Sequence, residues 1–214
     1  MATSKAVPEL VPVHYVTHLS KDRKLQKIID GPLTELGIRK NIALKLIGSI
    51  MSQQLSTKVA DVIYGRFLEL YGGKEPTPRQ ILDTPTTTLR NIGLSNAKVT
   101  YVHNVATFVI AEKLTDSRLK KMDNEEVIAY LTQIKGVGRW TVEMLLMFYL
   151  GREDVFAMDD WGLQQAMVKL YKLDRSDKKQ FREKLKTISD KWAPYRTHAC
   201  RYLWSWKDNT PDQS

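Results

Sequence analysis

The chain has 214 residues and a net charge of +9, with a pI of about 9.5. It has no run of the ~18 apolar residues that a membrane-spanning helix needs. Its single cysteine, Cys200, excludes an internal disulfide and an iron–sulfur cluster held by four thiolates, and His14, His18, His103 and His198 lack a metal-ligand spacing such as HExxH. The surplus of positive charge draws polyanions, nucleic acid first among them, with a merely solubilising surface as the alternative.

Residues 1–20 carry Pro8 and Pro12 and read as extended. They lack the long apolar core of a signal peptide, so an intracellular protein is expected. Asp22 to Leu36 reads as a short helix. A longer one follows from Arg39 to about Met51, with Ile42, Leu46, Ile47 and Ile50 at helical spacing. Ser56 or Thr57 can cap the next helix, which Gly72-Gly73 stops. A short helix is expected after Pro78. Thr88 to Ile92 gives another, turned by Gly93. A long helix runs from Asn96 to about Lys113. Asp123 and Glu126 form a capping box for a helix ending near Gln133. The spacing then predicts a glycine-containing hairpin, a helix from Arg139 to Leu150, and a helix after Asp159-Asp160 reaching about Tyr171. Two more run from Ser176 or Asp177 to about Ser189, and from Tyr195, after Pro194, to about Trp206. No strand pattern emerges, and the fold class is all-α.

Two constellations carry chemistry. The hairpin Ile134-Lys135-Gly136-Val137-Gly138 opens a helix, whose free N–H groups and positive dipole end can receive a phosphate. Arg139 and Thr141 lie in the first turn of that helix. Such contacts hold a nucleic-acid backbone without reading its sequence. An ordinary helix–helix turn is the alternative. About twenty residues later, Asp159 and Asp160 place carboxylates at another helix start, where either could simply cap the helix.

The order of motifs resembles the helix-hairpin-helix DNA repair glycosylases, in their 3-methyladenine (alkylbase) branch. The likeness rests on Leu131-x-x-Ile134-x-Gly136-Val137-Gly138-x-Trp140-Thr141 and on the loop Asp154-Val155-Phe156 leading to Asp160. It extends to Gln53-Gln54-Leu55-Ser56-x-x-x-Ala60, Leu89-Arg90-x-x-Gly93-Leu94-Ser95-x-x-Lys98, and Trp192-x-Pro194-Tyr195-Arg196-x-x-Ala199-x-x-Tyr202-Leu203-Trp204. Together these span about residues 42–206. One departure is Met158, which stands where the family usually has proline.

The resemblance implies a two-lobed fold without an N-terminal β-domain. One lobe covers roughly residues 42–152, and the other combines 1–41 with 153–214. It implies Asp160 as the catalytic aspartate, stabilising the positive charge that develops on the sugar as the N-glycosidic bond breaks. Trp140 occupies the position where strand-cutting relatives carry a Schiff-base lysine, which implies a monofunctional hydrolase. Trp140, Trp204, Met144 and Tyr195 are candidates for a base pocket, where aromatic faces attract cationic alkylated purines; both tryptophans could instead be core. Gln53, Gln54 and Leu55 are candidates for a minor-groove wedge that fills the gap left by a flipped base, although Leu55 could be a buried cap and Gln53 could bond the backbone.

No cofactor and no catalytic metal are implied, but a monovalent cation could bind the carbonyls of Ile134 and Gly136. The expected partner is double-stranded DNA containing damaged bases, with no membrane association and a monomeric protein. The expected compartment is the bacterial nucleoid or the eukaryotic nucleus. Another lesion (8-oxoguanine, hypoxanthine or ethenoadenine), or a non-catalytic helix-hairpin-helix DNA-binding module, are the alternative functions. Lys169 to Lys207 carries twelve Lys/Arg against four acids, which reads either as a solvated helix face or as part of the DNA-attracting field. Arg196 is either near the active site or in a structural ion pair.

Overall fold

The computed structural model describes residues 14–209. These form twelve α-helices and two short 3-10 turns, with no strand among the described residues. They divide into two units. One is Leu36–Val155; the other joins the described residues of Met1–Glu35 to those of Phe156–Ser214.

The first unit is built on α2 (Ile42–Ser52), with Leu46, Ile47 and Ile50 almost wholly buried. Packed against it are α3 (Thr57–Glu69), α6 (Asn96–Ala111) and α9 (Arg139–Phe148), while α4 (Pro78–Asp83) and α5 (Thr86–Asn91) lie on α6 and α8 (Asn124–Leu131) lies on α9. Most of these helices begin where a cap is written in the chain. Ser56 accepts from Val59 N–H, Ser95 from Lys98 N–H, and Asp123 with Glu126 closes its capping box. Each cap is worth about 1 kcal/mol. Gly72 and Gly73 sit at positive φ just past α3.

Two features of this unit differ from the sequence reading. The helix expected from Arg39 begins only at Ile42, because Asn41 takes a left-handed conformation and caps it through Leu44 N–H. The N–H groups of Asn41 and Ile42 then donate to the Asp116 carboxylate at 2.9 and 3.1 Å. Asp116 belongs to α7 (Asp116–Lys121), a short helix that the periodicity did not reveal. One buried side chain, Leu119, anchors it.

The second unit contains α1 (His14–Leu19), α10 (Trp161–Tyr171), α11 (Lys178–Ser189) and α12 (Arg196–Asn209). Its core includes Trp192, Tyr202, Leu203 and Cys200, all fully buried. Helix α1 and the turn at Ser20 correct the extended reading of residues 14–20; residues 1–13 lie outside the described residues. The helix expected over Asp22–Leu36 shrinks to a 3-10 turn at Leu25–Ile28. The cause is Asp22, whose carboxylate accepts Lys24 and Leu25 N–H, Tyr171 O–H and Trp192 Nε1–H. This ties the turn to α10 and to the segment before α12, and Gly31 at φ +128 then precludes helical continuation.

Candidate functional site

The hairpin is anchored from within. Ile134 and Val137 are buried, while Lys135, Gly138 and Arg139 are exposed. Two backbone bonds close it, Ile134 N–H to Leu131 carbonyl at 3.1 Å and Val137 N–H to Ile134 carbonyl at 3.0 Å. The Asn104 amide also donates to the Lys135 carbonyl at 3.0 Å. Gly136 is required twice over. Its φ is +104, and a Cβ there would lie 2.2 Å from Cγ of Tyr101. Helix α9 starts after Gly138 with no side-chain cap, so its first-turn amides are presented to an external anion.

Arg139 corrects a simple picture of that turn. Its guanidinium binds Glu125 with both arms, at 2.5 and 3.0 Å, and donates through Nε to the buried Glu143 at 2.9 Å. The pairing with Glu125 holds its acidity still weaker than usual, and burial opposes this. The side chain therefore braces α8 against α9, leaving the backbone as what the first turn offers a phosphate. Thr141, in contrast, is buried. The Ile134 carbonyl already accepts one hydrogen bond, which leaves one lone pair for the cation that the hairpin could hold with the Gly136 carbonyl.

Gln53, Gln54 and Leu55 follow α2 in a tight turn. Gln54 is exposed and left-handed, at φ 59. Lys98 donates from Nζ to the carbonyls of Met51 and Gln53, at 2.9 and 2.7 Å. It thereby satisfies the end of α2, and burial shifts its pKa down. The turn and Trp140, distant in sequence, line the same open groove of about 700 Å³, together with Ser49, Ser52, Ala60 and Asp61. Trp140 is 45% exposed. That exposure fits an interface better than the core alternative. Met144 lies partly buried on the same helix. A smaller hollow of about 550 Å³ in the other unit, beside Lys24 and Trp192, contains none of the candidate catalytic, base-pocket, hairpin or wedge residues.

In the second unit Asp160 is the N-cap of α10. Its Oδ1 accepts Leu163 N–H at 2.7 Å and the indole N–H of Trp204 at 2.9 Å. Capping and a chemical role are thus compatible in one carboxylate. A Cβ at position 162 would come within 3.2 Å of the same oxygen and 3.4 Å of Trp204, so Gly162 leaves room for the pair. Trp204, expected as a stacking ring, also fixes the acid. Asp159 is not a cap, because its carboxylate pairs with Arg182 of α11.

Tyr195 sits in an aromatic cluster with Tyr15, His18 and His198. Arg196 approaches Asp190 at 4.0 Å. The basic helix α11 buries Phe181 and Leu185 and exposes Lys178, Lys179, Arg182 and Lys186, with Lys184 half-buried, much as a solvated face does. Sequence reasoning overlooked Gln164 and Arg175, which support the Asp160 loop. The only local signal was the position of Gln164, one turn beyond Asp160.

Residues 47–191 match the HhH-GPD superfamily of base excision DNA repair proteins. The chain is similar to DNA-3-methyladenine glycosylase 1 of Schizosaccharomyces pombe, with 39% identity over 75% of this chain and 70% of that one. It is 36% identical to the alkylbase DNA glycosidase-like protein mag2 of the same organism, over 74% of this chain and 75% of that one. Among solved structures, the Schizosaccharomyces pombe 3-methyladenine DNA glycosylase Mag1 in complex with abasic DNA superposes with a TM-score of 0.79 at 33% identity, covering 92% of this chain and 97% of that one. The DNA-3-methyladenine glycosidase of Bacillus halodurans gives 0.81 at 36% identity, covering 92% and 91%. With described residues whose regular structure is helical throughout, a glycine hairpin opening a helix and a carboxylate fixed at a helix start, the chain belongs, on this family match over residues 47–191, to the HhH-GPD superfamily of base excision DNA repair proteins.

Proposed function

We propose that this protein is a monofunctional DNA glycosylase that hydrolyses the N-glycosidic bond of alkylated bases, of the 3-methyladenine and 7-methylguanine type, in duplex DNA. The observation that carries the reading is Asp160, a carboxylate held by Leu163 N–H and Trp204 Nε1–H in a chain 39% identical to a 3-methyladenine glycosylase. The amides at the start of α9 grip the DNA backbone. The Gln53–Leu55 turn enters the minor groove and holds open the place of the extruded nucleotide. As the bond to the base lengthens, positive charge grows at C1′, and the Asp160 carboxylate stabilises it. Water then attacks the sugar and leaves an abasic site. Trp140 offers no amine to form a Schiff base, so the strand is not cut. The enzyme acts as a monomer on damaged DNA, in the compartment that holds the genome.

The test is incubation with methylated duplex DNA and chromatography of the released bases. The expected products are 3-methyladenine and 7-methylguanine, with no borohydride-trapped enzyme–DNA adduct. Asp160→Asn should lower the release rate by roughly 10²–10³-fold, the scale of losing one preorganised electrostatic stabiliser, and still bind DNA. Release of hypoxanthine or 8-oxoguanine alone would replace the substrate assignment. Binding without release of any base would make the chain a DNA-binding module.

A further inference from the structure

The loop Phe156–Asp160 delivers the acid, and its carbonyls are taken up one after another. Met158 N–H donates to the Phe156 carbonyl and Asp160 N–H to the Ala157 carbonyl, both at 3.0 Å. The Met158 carbonyl receives the side chain of Gln164, from Nε2 at 3.0 Å. The other end of that amide, Oε1, accepts from Arg175 at 3.2 Å. The chemistry of the neighbours fixes which end of the amide is which. A carbonyl can only accept and a guanidinium can only donate, so Gln164 must donate to one and accept from the other. Glutamate could not donate to Met158, lysine could not accept from Arg175, and methionine could do neither. Arg175 is itself held, with its guanidinium 4.7 Å from the centre of the Trp161 ring and 5.4 Å from that of the buried Phe181.

We infer that Gln164 is a positioning residue for the glycosylase reaction: backed by Arg175, its amide clamps the Met158 carbonyl and so sets where Asp160 stands. The inference rests on the role proposed above for Asp160. Gln164 does not touch the sugar or the base. It acts by keeping the loop from relaxing by the fraction of an ångström that separates a useful carboxylate from an idle one. Displacement of a catalytic group by about 1 Å can cost up to about 10²-fold in rate, and among the side chains that hold this loop Gln164 is the one bound to the carbonyl two residues before Asp160.

The experiment compares single-turnover base release at saturating enzyme with affinity for duplex DNA carrying an abasic site. Gln164→Met and Gln164→Glu should each lower the release rate by about tenfold, within the range set by such a displacement, and change abasic-site affinity by less than about twofold. The two substitutions separate the halves of the amide, because glutamate can keep the Arg175 contact and still loses the donor. Arg175→Met should give a smaller loss. In the double variant Gln164→Met/Arg175→Met it should add nothing, as for residues acting in series.

A wild-type release rate in Gln164→Glu or Gln164→Met overturns the inference. So does a rate loss matched by loss of DNA affinity or of thermal stability, or full additivity of Gln164→Met and Arg175→Met. If Gln164→Met does not fold, Gln164→Glu and Arg175→Met still decide the matter. Asp160→Asn, run beside them, distinguishes the two levels. If it retains activity, the role of Asp160 fails; if it is inactive while both Gln164 variants are normal, only the positioning role fails.

Discussion

The hairpin at 134–138 and the loop at 156–160 are equally short, yet they are held by opposite means. The hairpin is largely self-contained. Two buried apolar residues, two backbone bonds and one glycine conformation shape it, one side chain from α6, Asn104, bonds its Lys135 carbonyl, and what it presents outward is backbone. The acid loop depends on side chains from elsewhere: Gln164 on α10, Arg182 on α11 and Trp204 on α12. Under the proposed function the hairpin grips a repeating phosphate backbone, which can be encoded locally. The loop, in the same proposal, places one carboxylate against one carbon, which needs support from several directions that the fold has to bring.

That contrast can be broken most sharply at Gly136. Gly136→Val forces a β-branched residue into φ +104 and against Tyr101. Strain and overpacking together should cost about 3 kcal/mol in urea unfolding. Affinity for undamaged duplex DNA should fall more than about tenfold, the equivalent of ~1.4 kcal/mol, as read by fluorescence anisotropy. Unchanged affinity in folded Gly136→Val would remove the hairpin from the interface. Adding Tyr101→Ala should return part of the stability, because it relieves the overpacking and leaves the backbone strain.

A smaller effect is expected at Asp22, which anchors the unit carrying the acid. Burial pushes the Asp22 carboxyl up, but hydrogen bonds from Tyr171, Leu25, Trp192 and Lys24 outweigh it and hold the pKa below its usual value. A depressed folded-state pKa contributes stability that is complete above the unfolded value and is lost as pH falls through the folded one. Unfolding free energy in the wild type should therefore drop below about pH 4, the ordinary aspartate value. Asp22→Asn should lower stability at neutral pH by about 2 kcal/mol, the range for hydrogen bonds to a charged group, and flatten that acid limb. An acid limb of unchanged slope would show that other carboxylates set it.

The smallest expected change separates the two uses of Trp204. Trp204→Phe keeps an aromatic face and deletes the N–H that meets Asp160. Single-turnover release should fall about tenfold, the equivalent of ~1.4 kcal/mol in the barrier, with abasic-site affinity nearly unchanged. Full activity in Trp204→Phe would leave stacking as its only contribution, and would place the acid loop closer to the largely self-contained hairpin.

The sequence by itself determined the helical class and most helix starts. The reason is local: an Ser56, a Ser95 or an Asp123 caps its own helix three residues on, and apolar spacing marks the buried stripe. It also determined the hairpin, since Gly136 and the buried Ile134 and Val137 lie within four residues. The tertiary structure alone decided what depends on partners far along the chain. It started α2 at Ile42 through Asp116, cut the Asp22–Leu36 helix to a turn through Tyr171 and Trp192, and paired Arg139 with Glu125 and Glu143. It also joined Trp204 to Asp160 across 44 residues and placed Trp140 in one groove with Gln53–Leu55. Periodicity and capping report on contacts one or two turns apart; a side chain that bonds across the fold leaves no such mark in the order of residues.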